Sequence, residues 1–418
     1  MKRYPAFDPP EYVSWTRNDR EVKKYHQTLR AEPARAAVLE RLTLEQRLDL
    51  YRGLVRTRLT DIALKRWVRQ GVISKAWLGI GEEATTVGPV HALRRGERSE
   101  RGERSERSER SEQGERGEQG ERGEQGEQGV RSVHPVHPVR SVRSARPVRS
   151  DVVAPMIRNS GACTEMGMPV TDVFRAYMGT ADGPSSGRDG HYGSISNGVI
   201  APISHVGDMV PIVTGIALSF AIRGSDQVAM TWIGDGSAKA GVAHEGLNFA
   251  AVRRAPAVFI IQNNQVALGT RLEQHHLTTN GDSPFADWPR AYGMWGGVFD
   301  GNNVLDAYAL TTLAVERCRR GEGPALLVAE TFRMGGHATH DEAEARQTFA
   351  AELFERWGRR DPIGLYEEYL IDEGVSRATL GELEAEIEAE VERAQEEALA
   401  SKRERMPSGE SAVAGVYA

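Results

Sequence analysis

Hydrophobic and polar positions follow two different rhythms along this chain. Between residues 43 and 71, Leu48, Tyr51, Leu54, Val55 and Leu59 recur at helical spacing, which predicts one long helix burying a single stripe. Thr43 followed by Gln46 supplies a capping box at its start, and Gly71 a terminator at its end. Farther on, short unbroken apolar runs take over: Gln227 to Ile233 (QVAMTWI), Ala257 to Ile261 (AVFII) and Ala325 to Ala329 (ALLVA). Runs of this length, separated by helix-length segments, predict strands of a parallel sheet covered on both faces. Near the end, Thr379 with Glu382 reads as another capping box. Leu383, Ile387, Val391, Ala394 and Ala398 follow on one face, Lys402, Arg403 and Arg405 suit a helix C-terminus, and Pro407 stops the helix. The expected fold class is α/β, a parallel sheet flanked by helices, with helical N- and C-terminal extensions.

One segment breaks both rhythms. From about residue 96, Glu-Arg-Ser and Glu-Arg-Gly units repeat through Gly129, and Val-Arg-Ser and Val-His-Pro units then run to Ser150. Neither half has the apolar content to build a core, so 96–150 is expected to be a disordered low-complexity insertion acting as a solvated linker. The expected organisation is an N-terminal extension over 1–42 that packs on the main domain or on a neighbour. One domain made of 43–95 and 151–345 follows, and 346–418 forms a helical region.

Composition narrows the function. Hydrophobic residues are 39% of the 418, enough for a large core. The 53 basic and 59 acidic residues give a net charge of -6, with no basic footprint for nucleic acid. No uncharged apolar stretch of about twenty residues exists to span a membrane. The charges at the N-terminus have no apolar run behind them, as a secretory signal would. Cys163 and Cys318 are the only cysteines, too few for a disulfide framework or a structural zinc site. A cytoplasmic protein is expected.

The chemistry gathers between Ile233 and Thr270. Gly234-Asp235-Gly236-Ser237 follows one apolar run, and Gln262-Asn263-Asn264-Gln265 closes the next. A strand-helix-strand crossover brings both clusters to the carboxyl edge of the sheet, where open parallel sheets bind ligands. Asp235 offers a carboxylate and Asn264 an amide oxygen, the hard donors magnesium prefers beside phosphate. The glycines allow close backbone approach to a phosphate, and the following helix adds free N–H groups. Gly-Asp-Gly and Asn-Asn are each common turn formers. Their pairing at two strand ends favours a diphosphate clamped through a divalent cation.

The stretch GDGSAKAGVAHEGLNFAAVRRAPAVFIIQNN resembles the thiamine diphosphate fingerprint. Glu245 to Ala251 and Val266-Ala267-Leu268-Gly269-Thr270 resemble the alpha subunits of 2-oxo acid dehydrogenases in particular. The resemblance implies a thiamine diphosphate-binding fold, with Asp235, Asn264 and the Val266 carbonyl holding Mg2+ and with Gly236 and Ser237 lining the diphosphate. Gly81-Glu82-Glu83-Ala84 matches a further family motif. Arg158 stands where the family grips the diphosphate, although Ile157 replaces the usual tyrosine. Ser204-His205-Val206-Gly207 is similar to the segment whose backbone meets the aminopyrimidine, which implicates Ser204 and Val206. Thr331 to Asp341 resembles the loop that brings Arg333 and His337 to the phosphates, with His337 also placed for proton transfer. Ala338 occupies the position of a phosphorylatable serine in regulated relatives, so that control is not expected.

The resemblance further implies decarboxylation of a 2-oxo acid and acyl transfer to a lipoyl group on a partner acyltransferase, within an alpha2beta2 heterotetramer completed by a beta subunit. Trp77 in place of a histidine common in pyruvate-type members, together with His191-Tyr192-Gly193, points toward branched-chain-like substrates. An acetoin-cleaving dehydrogenase alpha subunit and a non-catalytic scaffold are the alternatives.

Overall fold

The computed structural model describes residues 15–95, 150–276 and 283–412. The disordered insertion expected over 96–150 therefore lies outside the described residues, apart from Ser150. Five strands form one sheet: β1 (Val152–Ala154), β2 (Ala229–Gly234), β3 (Ala257–Asn263), β6 (Trp295–Asp300) and β7 (Ala325–Glu330). Their order is β1-β2-β3-β7-β6 and every pairing is parallel. A short antiparallel pair, β4 (Val266–Ala267) and β5 (Thr270–Arg271), stands apart.

Alternation within the strands explains their unbroken hydrophobicity. Met230, Trp232, Val258, Ile260 and Leu327 enter the core on one face. Ala229, Ile233, Phe259, Ile261, Leu326 and Val328 enter the core on the other. With both faces covered, every second residue has no solvent side to address. The α/β expectation thus holds, and the three apolar runs are the three central strands.

The long helix covers Leu44–Arg69, with the Thr43–Gln46 capping box in place and Gly71 in the left-handed region at φ +70. Helices Asp19–Ala31 and Pro33–Leu39 contribute Val22, Tyr25, Leu29, Val38 and Leu39 to a core shared with that helix and with Leu383, Ile387 and Val391 of the terminal helix. The terminal helix, Arg377–Glu404, starts earlier than its sequence suggests. Ser376 is the N-cap and accepts the Thr379 N–H, so Thr379 sits inside the first turn. Ser376 has the extended backbone a cap requires, and its oxygen reaches the third residue on. Both cysteines are buried and free.

Candidate functional site

At the carboxyl edge of the sheet, Gly234 of β2 pairs with Gln262 of β3. Asp235 and Asn264 lie just beyond this pair, on strands that run about 5 Å apart. Gly236 holds the two segments together: a β-carbon there would come 2.4 Å from the Ala267 β-carbon. Asn264 accepts the Val266 N–H at 3.3 Å and donates to Glu82 Oε1 at 3.0 Å. Glu82 Oε1 also accepts Gln262 Nε2 at 2.5 Å. One buried glutamate thus fixes the Asn264 amide.

Arg158 enters the same space from the turn after β1. A β-carbon on Gly234 would touch its Nη2 at 3.6 Å and the Ser237 hydroxyl at 3.7 Å. Both groups therefore converge on the Gly-Asp-Gly turn. Asn159 anchors this segment through bonds to Thr86 Oγ1 and Gln262 Oε1 at 2.6 and 3.0 Å. Arg158 is 6% exposed, and its Nε lies 3.3 Å from Glu82 Oε2. That contact lacks hydrogen-bond alignment, and among the described residues Arg158 Nε and Nη2 and Glu82 Oε2 have no hydrogen-bond partner.

Arg333 arrives just after β7 and is 1% exposed. It donates to the carbonyls of Gly335 and Leu268 at 3.0 and 3.3 Å, which ties its loop to the one that follows Asn264. Burial and the neighbouring Arg158 charge push its pKa down to about 10. Burial, then Arg158 and Arg333, lower His337 to about 4, so this imidazole is neutral at pH 7. Its backbone N–H donates to Asp341 at 2.9 Å. Arg158, Arg333 and His337 thus act on one another electrostatically, and Asp235 acts on Arg333; the buried Oδ2 of Asp235 has no hydrogen-bond partner among the described residues. Buried polar groups of both signs left without hydrogen-bond partners among the described residues mark a candidate ligand site.

The fit to a metal diphosphate is direct: the unspent Arg158 guanidinium donors match phosphate oxygens, and the Asp235 Oδ2, without a hydrogen-bond partner among the described residues, matches a hard cation. Asp235, Asn264, Val266, Gly236, Ser237, Arg158 and Arg333 come together here, and His337, on the loop that follows Arg333, feels the charges of both arginines. Ser204 and Val206 stand at the rim instead, Val206 at 63% exposure. Gly207 carries their loop onto the next helix, where a β-carbon would meet Ala240 at 2.9 Å. Ser204 Oγ lies 3.1 Å from His191 Nε2, and His191 Nδ1 lies 2.8 Å from Asp189. Sequence reasoning missed the anchoring roles of Glu82 and Asn159, and missed His275, whose Nε2 is 3.5 Å from Asp235 Oδ2. Glu82 stood in a recognised motif, but His275 carries no signal beyond being a histidine in a polar stretch.

Comparison with known proteins places this geometry. Residues 140–407 match the family model for the dehydrogenase E1 component. The chain is 32% identical over 228 residues to the 2-oxoisovalerate dehydrogenase subunit alpha of Bacillus subtilis, covering 54% of this chain and 67% of that one. It is 33% identical over 228 residues to the 3-methyl-2-oxobutanoate dehydrogenase subunit alpha of Mycobacterium tuberculosis, covering 54% and 58%. Against the chloroplastic pyruvate dehydrogenase E1 component subunit alpha-3 of Arabidopsis thaliana, identity is 33% over 262 residues, covering 60% of each chain. The match thus spans roughly three fifths to two thirds of these relatives' lengths. With the fingerprint turn, the parallel sheet and the matched span in agreement, the chain belongs to the dehydrogenase E1 component family, alongside its alpha subunits.

Proposed function

We propose that this chain is the alpha subunit of a 2-oxo acid dehydrogenase and holds thiamine diphosphate through a divalent cation, Mg2+ in the family pattern. One observation carries the reading: Arg158 reaches the Gly-Asp-Gly turn, where the buried Asp235 Oδ2 and the Arg158 Nε and Nη2 have no hydrogen-bond partner among the described residues. Arg158, Arg333, Ser237 and the Gly236 backbone would take the phosphates. Asp235, Asn264 and the Val266 carbonyl would take the ion, and Ser204 and Val206 would face the aminopyrimidine from the rim. The bound cofactor supplies an electron sink for decarboxylation. The chain itself orients the cofactor, compensates its charge, and offers the neutral His337 imidazole as a proton carrier at the mouth.

The acyl product would pass to a lipoyl group on an acyltransferase, and catalysis would need a beta subunit in an alpha2beta2 assembly. Supporting this, helices Met209–Ile222 and Gly241–Arg253 pack closely at Gly246, where a β-carbon would lie 2.8 Å from Pro211 N. They leave Ile212, Ile222, Phe249 and Val252 exposed on the outside, an apolar surface suited to a subunit contact. Trp77, held by Tyr177, and the two relatives named for branched 2-oxo acids favour a branched-chain-like substrate. A cytoplasmic setting accords with the buried free thiols. Among the described residues no helix is long and apolar enough to cross a membrane.

Calorimetric titration with thiamine diphosphate, with and without Mg2+, tests the cofactor. Heat should appear only with both present. Reconstitution with a beta subunit should then give 2-oxo acid decarboxylation that the isolated chain lacks. Absence of any metal-dependent binding, even in the pair, would remove this reading.

A further inference from the structure

The environment of Asp235 includes a nitrogen donor that the expected ligand set omits. Val266–Ala267 turns back through Thr270–Arg271, and Leu272 N donates to the Gln265 carbonyl at 3.1 Å. This closure carries the short helix Leu272–His275 over the Gly-Asp-Gly turn. His275 ends with Nε2 at 3.5 Å from Asp235 Oδ2, its side chain 15% exposed and that of Asp235 2%. Yet Asp235 Oδ2 and both ring nitrogens of His275 are buried without a hydrogen-bond partner among the described residues.

A buried imidazole and carboxylate that pair with each other close to a hydrogen bond of about 2.7–3.0 Å. These two stop short, with the ring not aimed as a donor. Their spacing is instead that of two ligands sharing one ion. Donors about 2.0–2.2 Å from a small divalent cation stand roughly 2.8–3.6 Å from each other, from octahedral to tetrahedral geometry. The adjacent His276 is already engaged: Nε2 lies 2.9 Å from the Pro284 carbonyl and Nδ1 meets Lys239. Lys239 is itself stacked 4.8 Å over both Phe285 and Trp288.

We infer that His275 Nε2 is a ligand of the same divalent cation that Asp235 holds, so that this chain builds a mixed nitrogen–oxygen site. The inference rests on the metal–diphosphate reading above and alters its donor set. Magnesium favours oxygen donors alone, whereas imidazole suits transition ions, and affinity rises from manganese toward cobalt and nickel. The site therefore prefers Mn2+ or Co2+ over Mg2+, and His275 is the cause of that preference.

Pulsed electron paramagnetic resonance of the full chain with Mn2+ and thiamine diphosphate reads this directly. The parent should show nitrogen modulation from a coordinated imidazole. His275→Ala should lose it and His276→Ala should keep it. The ratio of Mn2+ to Mg2+ affinity, measured by titration, should fall severalfold in His275→Ala. Bound manganese without nitrogen coupling in the parent overturns this inference and leaves the metal–diphosphate reading intact, with His275 then donating to phosphate or to nothing. Coupling that survives in His275→Ala, or that is lost in His276→Ala, overturns it as well. No bound manganese at all removes both.

Discussion

Arg158 and Arg333 bury like charges against one another, and the Arg158 charge helps push Arg333 down to about 10. Such an arrangement is stable only because Glu82 lies beside Arg158 and two carbonyls accept from Arg333. Under the proposed reading, a diphosphate would sit between them. Arg333→Met removes one charge, and the relief of repulsion offsets the two lost hydrogen bonds. Stability of the free chain should therefore change by less than about 1 kcal/mol. Affinity for inorganic diphosphate with Mg2+ should fall about 10- to 100-fold, the worth of charge-assisted hydrogen bonds. Titration calorimetry on parent and variant checks this, and equal affinities would remove Arg333 from the site.

Asp235 carries the opposite problem, a buried carboxylate oxygen without a hydrogen-bond partner among the described residues. Asp235→Asn neutralises it, so the free variant should melt about 1–2 °C above the parent, as roughly 1 kcal/mol does in a chain of this size. The same change should abolish the Mg2+-dependent rise in melting temperature on adding thiamine diphosphate. Asn264→Ala should weaken that rise less, because water can replace a neutral ligand. It should also lower the melting temperature of the free chain, since Glu82 and the Val266 N–H lose a partner. Thermal shift with and without cofactor distinguishes the two, and a parent-like response in both would show the ion is held elsewhere.

The sequence announced those elements whose side chains repeat the same demand. β2, β3 and β7 read as continuous apolar runs because both faces of the sheet are buried. β6 escaped notice because Gly296 and Gly297 carry its packing through missing side chains: a β-carbon on Gly296 would lie 1.8 Å from the Leu326 carbonyl oxygen. β1 has three residues, too few for any period. In the site, Asp235 and Asn264 were legible because glycines and strand ends frame them. His275 was not, since its approach to Asp235 depends on a hairpin closure that no local pattern encodes. Thr379 fits a capping pattern with Glu382 in sequence, but the extended backbone that a cap requires lies at Ser376.

The flanks of the low-complexity segment make a further expectation concrete. Asp151 N donates to the Arg94 carbonyl at 2.9 Å, and Arg94 N donates to Asp151 Oδ2 at 2.6 Å. The chain therefore leaves and re-enters the domain at one point. Deleting 96–149 would make Arg94-Arg95-Ser150-Asp151 a four-residue turn whose closing hydrogen bond already exists. Loop closure depends only weakly on loop length, so the deletion should shift the melting temperature by no more than a few degrees. Scanning calorimetry checks it. A collapse in stability would show that the segment contributes packing.

His337 sets a pH dependence with a definite sign. Its pKa in the folded chain, about 4, lies below the ordinary 6.5, so the unfolded chain takes up a proton first as pH falls. Stability should drop from pH 6.5 toward 4, by on the order of 1–2 kcal/mol for a partly exposed group. His337→Gln should flatten that slope. Diphosphate beside the imidazole acts in the opposite direction and favours the protonated form. Binding of Mg2+–thiamine diphosphate near pH 6 should therefore take up protons in the parent and take up fewer in the variant. Calorimetry in buffers of different ionisation enthalpy measures the uptake, and identical values would separate His337 from the phosphates.

Asp61 offers a test away from the ion. Fully buried, it accepts the Gly79 N–H at 2.8 Å and the Ser160 hydroxyl at 3.1 Å. Gly79 in turn presses on the Arg158 carbonyl, which a β-carbon would approach to 2.6 Å, so Asp61 supports the segment that delivers Arg158. Burial raises its pKa from 3.8 to about 8, leaving it mostly protonated at neutral pH. A raised carboxyl pKa means that stability is lost as pH climbs from about 4 to 8, because the unfolded chain ionises first. Asp61→Asn keeps the shape and the Gly79 contact, and the Ser160 hydroxyl can turn to accept from the amide. The variant should therefore gain on the parent through that window, by roughly 1 kcal/mol or more, with the difference level above pH 8. Urea midpoints at pH 5, 7 and 9 measure the gap. Midpoints that stay parallel would place the ionised form in the folded core, held by a cation such as Arg58.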